Sequence, residues 1–334
     1  MSNRKQQEHP PMQFDRALVF FNPASTHTGA ALRRIGELKD ILGEHNVTTV
    51  ETSPEGRTAN ASLLEKQGGI LGESTLLCIA AGDGTTNQVI EALLTSPKLN
   101  SAVRKTPILP LWGGNANDLA HMLNGAAYRT HIKDILKHGR VVPIHPLQCK
   151  MSSKGKPAET RVAACYASFG ATAIAAHRLN RPTHRQSRLQ ALPGGRILQE
   201  IITVVSAFME APAFSVKEAG DIKVVYEISF YNGSRMAKVE RLPARLTDEM
   251  FYLNALKDKP ILFLLPIPRF IEFTHKRIAQ KFLRTNASFT TQEESWAQFD
   301  GEPVHIPPNT EIQMQLSPRP FYALSTTLNS DNKK

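Results

Sequence analysis

Residues 76–90 read Leu76-Leu77-Cys78-Ile79-Ala80-Ala81-Gly82-Asp83-Gly84-Thr85-Thr86-Asn87-Gln88-Val89-Ile90. An apolar run ends in small residues, breaks at Gly82-Asp83-Gly84 and resumes with helical spacing of its apolar side chains. The pattern predicts a strand, a tight turn and a helix N-terminus. Glycine lets backbone N–H groups approach a ligand closely, and a helix N-terminus attracts anions. Asp83 would repel a phosphate, so it suits a cation or a hydroxyl held beside one. Taken alone, the stretch is equally a plain strand-to-helix turn, because Asp-Gly is a common turn dipeptide.

The flanking chain repeats the alternation. Ala17 to Phe21 is a short apolar run of the kind a parallel strand buried on both faces requires. It ends in Asn22-Pro23-Ala24-Ser25-Thr26-His27-Thr28-Gly29, and Leu32, Ile35, Leu38, Ile41 and Leu42 then mark one face of a helix. Val47 to Val50 predicts a second strand leading into Thr52-Ser53-Pro54-Glu55-Gly56, and Thr58 to Lys66 a helix with Thr58 as candidate cap. Leu76 to Ala80 is the third strand and Thr85 to Leu94 the next helix. Pro107 to Leu111 is the fourth strand, opening into Trp112-Gly113-Gly114-Asn115-Ala116-Asn117-Asp118 and the helix Leu119 to Leu123. Such repeats predict an α/β fold with a doubly wound parallel sheet, its ligands at the C-terminal strand ends. All four polar loops fall at those ends and would converge on one crevice.

From Val141 the texture changes. Val141–Lys150, Arg161–Ser168, Phe214–Lys217, Ile222–Tyr231, Pro260–Leu265 and Ile312–Leu316 read as strands, interrupted by a helix from about Arg196 to Met209. The division expected is a disordered lead-in (1–15), a nucleotide-binding α/β domain (16–140), a β-rich second domain (141–326) and a disordered tail (327–334). Whether the last strands return beside the first sheet stays open at this level.

Composition narrows the partners. A chain of 334 residues with 41% hydrophobic content can bury two cores. A net charge of +10 suits an anionic partner such as a nucleotide or acidic headgroups. Three cysteines without C-x-x-C spacing read as buried free thiols of a reducing compartment. The lead-in lacks a signal-peptide core, and Ile261 to Ile267 is too short to span a bilayer. A cytoplasmic protein is expected, with any lipid contact peripheral. No P-loop, G-x-G-x-x-G after a strand, H-E-x-x-H or G-x-S-x-G occurs. Two basic stretches, His177–Arg196 and an amphipathic helical pattern over Phe270–Arg284, suit an anionic membrane surface or simply a solvated outer face. Aromatics are not interleaved with these arginines, which argues against nucleic acid.

Five motifs in order carry a family resemblance. They are Asn22-Pro23-Ala24-Ser25; Thr52 with Gly56 behind it; Gly82-Asp83-Gly84-Thr85-Thr86-Asn87; Gly114-Asn115-Ala116-Asn117-Asp118-Leu119-Ala120; and Phe299-Asp300-Gly301-Glu302-Pro303. Together they resemble the diacylglycerol kinase family, which includes sphingosine kinases and bacterial soluble lipid kinases, from about Ala17 to Leu324. The resemblance implies an NAD kinase/diacylglycerol kinase-like nucleotide-binding domain, a β-sandwich-like second domain and an active site between them. ATP would meet Asn22, Pro23, Ser25, Thr52, Gly82, Asp83, Gly84, Thr85, Thr86, Asn87, Gln88, Gly114, Asn115, Asn117 and Asp118, with Mg²⁺ as cofactor. Glu302 maps onto the residue read as proton acceptor in the bacterial members, Asp83 onto the one proposed as base in sphingosine kinases. The sequence does not divide the roles. Pro243 to Met250 loosely resembles a structural magnesium segment, which makes Asp248 a candidate ligand.

Departures from the family pattern are Ala81 for glycine, Gln88 for an acid, Asn115 for threonine, Trp112 for proline and Thr26 for glycine. The expectation is an ATP-dependent kinase acting on a diacylglycerol-like or sphingoid hydroxyl. Its rivals are an NAD kinase-like enzyme with a soluble substrate and a non-catalytic nucleotide- or lipid-binding descendant.

Overall fold

The computed structural model describes residues 14–180, 195–218, 221–236, 239–240, 245–256 and 279–328. The predicted strand Pro260–Leu265 and residues 181–194 and 270–278 of the basic stretches lie outside these, as do residues 1–13 and 329–334 of the expected disordered ends. The described remainder of those ends is anchored. Phe14 is buried, Asp15 N–H donates to Ser74 O at 3.0 Å, and Thr327 Oγ1 donates to Met122 O at 2.6 Å.

The chain forms two compact units, 1–144 with 320–334, and 145–319. The first unit holds a six-stranded sheet: β1 (Arg16–Phe21), β2 (Val47–Glu51), β3 (Thr75–Ala81), β4 (Pro107–Trp112), β5 (Arg140–Ile144) and the final strand, β20 (Phe321–Ser325), in the order β2-β1-β3-β4-β20-β5. All neighbours are parallel except β20 and β5. Its helices are α1 (Thr28–Leu42), α2 (Arg57–Lys66), α3 (Asp83–Thr95), α4 (Asp118–Asn124) and α5 (Ile132–His138). Ala17, Leu18, Val19 and Phe20 are all at most 2% exposed, so β1 is covered on both faces, as parallel strands with helices on either side must be. Gly56, not Thr58, occupies the N-cap of α2; its φ of 87° is open to glycine and strained for a threonine.

The expected division at 140 moves. Val141–Lys150 is two strands rather than one, because Pro146 has no N–H for a ladder: β5 stays in the first sheet, and β6 (Leu147–Ser152) begins the second unit. The chain returns at β20, which lies between β4 and β5.

The second unit carries two antiparallel sheets and a short ribbon. One sheet runs β10-β9-β16-β19-β6-β7, where β7 is Glu159–Ala163, β9 Phe214–Glu218, β10 Asp221–Val225, β16 Asn286–Thr291 and β19 Thr310–Leu316. The other runs β15-β14-β11-β8-β17-β18, with β8 Tyr166–Gly170, β11 Glu227–Tyr231, β14 Phe251–Leu256, β15 Ala279–Arg284, β17 Ser295–Phe299 and β18 Glu302–Ile306. β12 (Arg235–Met236) and β13 (Val239–Glu240) make the ribbon. Phe169, Phe230 and Phe299 of one sheet meet Phe289 or one another edge-on or stacked, filling a sandwich-like core from both sheets. Among the described residues the unit also has two helices, α6 (Ala171–Leu179) and α7 (Gly195–Glu210). The buried Glu227 caps α6 by accepting the Thr172 N–H at 3.0 Å.

Three further predicted elements change. The predicted strand Ile222–Tyr231 parts at Tyr226 into β10 and β11, which lie in different sheets. Residues 279–284 of the expected amphipathic helix form β15, paired in register with all six residues of β14; sheet pairing overrides a local helical pattern. The predicted strand Arg161–Ser168 breaks at Ala164 and Cys165, whose N–H groups turn to the Asp300 carboxylate instead of a ladder.

Candidate active site

In the order β2-β1-β3-β4, the chain winds in opposite directions from β1 and β3, so the loops leaving their C-terminal ends diverge around a crevice. Those loops are Asn22–His27 and Gly82–Asp83. The crevice is bridged at its floor: Asn22 N–H donates to Ala80 O at 3.1 Å, and Asn22 Nδ2 to Thr85 Oγ1 at 3.3 Å. Asn22 also folds its own loop, accepting Ala24 N–H at Oδ1 (2.9 Å) and Ser25 N–H at its carbonyl (3.1 Å). Pro23 is exposed on this loop. Ser25 Oγ is buried without a hydrogen-bond partner among the described residues.

Each remaining loop is fastened to a neighbour. His27 N–H donates to Gly113 O at 2.9 Å, joining the loop after β1 to the one after β4. Thr52 is buried, and its N–H continues the β1 ladder to Phe21 O at 2.9 Å. Ser53 N–H donates to Asn60 Oδ1 at 2.7 Å, and Asn60 Nδ2 to Gln88 Oε1 at 2.8 Å, which ties the loop after β2 to α3. Gly82 and Gly114 touch backbone to backbone. A Cβ on Gly114 would lie 2.2 Å from Gly82 Cα, and one on Gly113 would lie 2.6 Å from Ala81 N. Neither Gly113 nor Gly114 has a positive φ, so both are required for close approach rather than for backbone conformation.

The pivot of the assembly is the start of α3. Gly82 is its N-cap, and Thr86 closes the first turn through N–H and Oγ1 to Gly82 O, both at 3.0 Å. Asp83, Gly84 and Thr85 are the first three residues of the helix, and their amides lie at its positive dipole end. All three residues are half-buried. The helix starts at Asp83, two residues before the predicted Thr85, which puts the aspartate in the first turn.

Other expected nucleotide-facing residues are committed inward. Asn87 is 1% exposed and Gln88 8%. Gln88 Oε1 is occupied by Asn60, so the glutamine clasps α2 to α3. Asn117 (φ 54°) holds the β4 loop closed, its Oδ1 taking the Gly113 and Gly114 N–H groups at 3.3 and 3.0 Å and its Nδ2 donating to Gly114 O. Asp118 is fully buried at the start of α4. Of that loop, Asn115 is the exposed tip. Trp112, the departure from proline, packs its ring 5.2 Å from His27 and 5.6 Å from the Arg129 guanidinium.

In the second unit, Asp300-Gly301 forms a two-residue hairpin between β17 and β18, both residues at positive φ (48° and 88°), as a type I′ turn requires. Asp300 is 2% exposed. Its carboxylate accepts the N–H groups of Ala164 (2.6 Å), Cys165 (3.1 Å) and Tyr166 (2.9 Å). Asn180, just past α6, donates to Gly301 O at 3.0 Å, and His177 of α6 stacks on Trp296 at 3.8 Å. Glu302, half-buried, is the first residue after this braced turn. Asp248 lies apart from it in sequence and spends Oδ2 on the Arg245 N–H at 2.9 Å. Among the described residues no group of three or more His, Cys, Asp or Glu side chains gathers as a metal cage.

Asn60 carried no motif signal, and the bracing role of Asp300 was hidden inside the Asp-Gly-Glu pattern. Only the spacing of Asn60 four residues after Gly56, one turn into α2, could have pointed to the former.

Residues 16–149 match the family model of the diacylglycerol kinase catalytic domain. A diacylglycerol kinase from Bacillus anthracis str. Sterne superposes with a TM-score of 0.59 at 15% identity, covering 93% of this chain and 97% of its own. A candidate diacylglycerol kinase from the same organism gives 0.63 at 15% identity, covering 94% and 98%. Yeast NADH kinase complexed with NADH gives 0.51 at 10% identity, covering 95% and 84%. At these identities the likeness is one of fold, and it extends over both units. No curated protein sequence matches the chain.

Proposed function

We propose that the protein is an ATP-dependent lipid kinase acting on a hydroxyl of a diacylglycerol-like or sphingoid alcohol, a reading supported by the match of residues 16–149 to the diacylglycerol kinase catalytic-domain model. The observation that carries this reading is the set of four loops around the first turn of α3, each hydrogen-bonded or packed against another. Phosphoryl transfer asks the protein mainly for positioning and charge stabilisation. In this reading the amides of Asp83, Gly84 and Thr85 receive phosphate oxygens, and Asn22, Ser25, Thr52 and Asn115 border the nucleotide. Gln88, Asn117 and Asp118 hold the loops' shape.

Mg²⁺ commonly binds through one or two carboxylates plus substrate phosphates, without a protein cage. One carboxylate, the half-buried Asp83 at a helix N-terminus, fits that requirement, and bound Mg²⁺ would neutralise charge on the phosphates. Glu302 acts as the base: it takes the proton of the lipid hydroxyl as that oxygen bonds the γ-phosphorus and the bond to the β-bridging oxygen breaks, releasing ADP. The brace on Asp300 supports this role, because the turn preceding Glu302 is rigidly held. We place the enzyme in the cytoplasm, with peripheral contact at the membrane that supplies its acceptor.

The likeness to NADH kinase favours a second reading, transfer to a soluble dinucleotide. One assay separates the two. Purified protein is incubated with labelled ATP, Mg²⁺ and either a panel of lipid alcohols or NAD, and the reactions are repeated with Asp83→Asn and Glu302→Gln. Label is expected in a lipid and lost in both variants. Label in NAD alone would replace the lipid reading. Full activity in Glu302→Gln would remove it as base. Bound ATP with no transfer would point to a non-catalytic descendant.

A further inference from the structure

Strand β18 carries Glu302, yet it is an edge strand, paired with β17 alone among the described residues. A strand with one ladder has fewer backbone hydrogen bonds to hold it than an inner strand, and such elements open locally before the core does. The Asp300 brace reaches Ala164, Cys165 and Tyr166 from the turn before Glu302. The strand after it needs support of its own, because a misplacement of about 1 Å can cost about 100-fold in rate.

Helix α6 gives that support. Its start is fixed to the sheet: besides the Thr172 N–H on Glu227, Thr172 Oγ1 lies 2.6 Å from Ser168 Oγ of β8. Its end is fixed to the hairpin. His177 stacks on Trp296 of β17 with ring planes 28° apart, and the Asn180 bond reaches Gly301 at the tip. Trp296 is the cross-strand partner of His305 on β18, and their rings meet edge-on at 5.4 Å. Three rings therefore run in file from α6 across β17 to the edge strand. Glu294 closes the file, its Oε1 2.7 Å from His305 Nε2. Glu302 lies between the two points of attachment, next to Gly301 and three residues before His305.

These contacts lie off the sandwich core. Side chains alternate along a strand, so Ala297 and Phe299 of β17 enter the core while Trp296 takes the other face, toward α6. Losing the stack leaves the core whole and loosens the edge.

We propose that His177 and Asn180 are positioning residues, which hold the edge strand through Trp296, His305 and Gly301 so that the Glu302 carboxylate keeps one place. The role rests on the reading of Glu302 as the base of a lipid kinase, and it needs neither side chain to touch a substrate.

Transfer from labelled ATP to dioctanoylglycerol and to sphingosine is measured for wild type, His177→Ala, His177→Phe and Asn180→Ala, with a urea midpoint for each. His177→Ala is expected to lower kcat about tenfold or more while the KM for ATP stays within about twofold. His177→Phe returns a ring to the stack and is expected to recover most of that loss, with the midpoint near wild type in both variants. Asn180→Ala, at an exposed position, is expected to lower kcat about threefold or more. Trp296 is one of two tryptophans, so in a Trp112→Phe background its emission reports the stack. A red shift is expected with His177→Ala and none with His177→Phe. Unchanged kcat in both alanine variants, unchanged emission in His177→Ala, or a kcat loss that tracks the midpoint and that phenylalanine does not recover would overturn the proposal. If His177→Ala does not fold, Asn180→Ala decides alone, and full kcat there overturns it. Wild type that labels neither alcohol ends the kinase reading and this role with it; wild type and both alanine variants labelling equally ends the role alone.

Discussion

Gly114→Ala tests the architecture of the candidate site with the smallest possible change. The added methyl would lie 2.2 Å from Gly82 Cα and 3.0 Å from Gly82 N, about 1.2 Å inside the 3.4 Å at which ordinary contact begins. Both opposing atoms are backbone, so no side-chain rotation relieves the clash, and the β4 loop or the start of α3 has to move by about an ångström. Overpacking of this kind costs about 1–3 kcal/mol. A displacement of about 1 Å in a positioning element can cost about 100-fold in activity. The assay pairs urea unfolding with titration of a fluorescent ATP analogue and steady-state transfer to lipid. Gly114→Ala is expected to unfold at lower urea and to bind the analogue about tenfold or more weakly. Gly36→Ala, inside α1 with nothing within 4 Å of the new methyl, is expected to gain about 0.5–1 kcal/mol and keep nucleotide affinity. A Gly114→Ala protein as stable and as tight-binding as wild type would refute the close-approach account. Lost stability with unchanged affinity would detach these loops from the nucleotide.

Asp300→Asn puts an amide NH₂ among three N–H donors that the carboxylate now accepts, and is expected to destabilise the second unit by about 2–4 kcal/mol in urea unfolding. Glu302→Gln, one turn-residue away, is expected to abolish transfer while leaving that midpoint unchanged; a midpoint shift as large as that of Asp300→Asn would make Glu302 structural. Asn60→Ala removes the link between Ser53 and Gln88 and is expected to cost about 1–3 kcal/mol and to weaken nucleotide binding, read by the same titration. Burial pushes the Cys78 and Cys149 thiols well above the usual thiol range, so neither should react with a disulfide reagent until the protein unfolds. A raised folded value stabilises fully below the unfolded thiol pKa and is lost as pH rises toward the folded one. Stability should therefore fall above about pH 8.5, more in wild type than in Cys78→Ala or Cys149→Ala, by urea midpoints across pH.

The first four strands and the loops after them were legible because each is a local event: an apolar run, then glycine, asparagine and hydroxyl residues at its end. What the loops do to one another was not legible. Asn22 meets Thr85 across 63 residues, and Asn60 meets Gln88 across 28, and no local pattern encodes either pairing. The same limit hid how deeply Gln88, Asn117 and Asp118 are buried. Their polarity is visible in sequence, but their burial depends on which neighbours arrive. In the second unit β14, β16, β17 and β18 were not read as strands, and in the strands that were read the breaks were missed; the break at Ala164 and Cys165 is imposed from afar. Asp300 captures the amides of Ala164 and Cys165 from 136 and 135 residues away. Residues 279–284 failed oppositely, their helical spacing yielding to a full partner strand.

The position of β20 dictates an order of assembly. It inserts between β4 and β5, and Asn124 Nδ2 donates to Leu324 O across 200 residues of chain. A ribosome would therefore emit the whole second unit before the first sheet could close, leaving the edges of β4 and β5 without their shared partner. An excised fragment ending near residue 149, however faithful to the catalytic-domain match, would carry that open seam permanently. It should aggregate where the full chain does not.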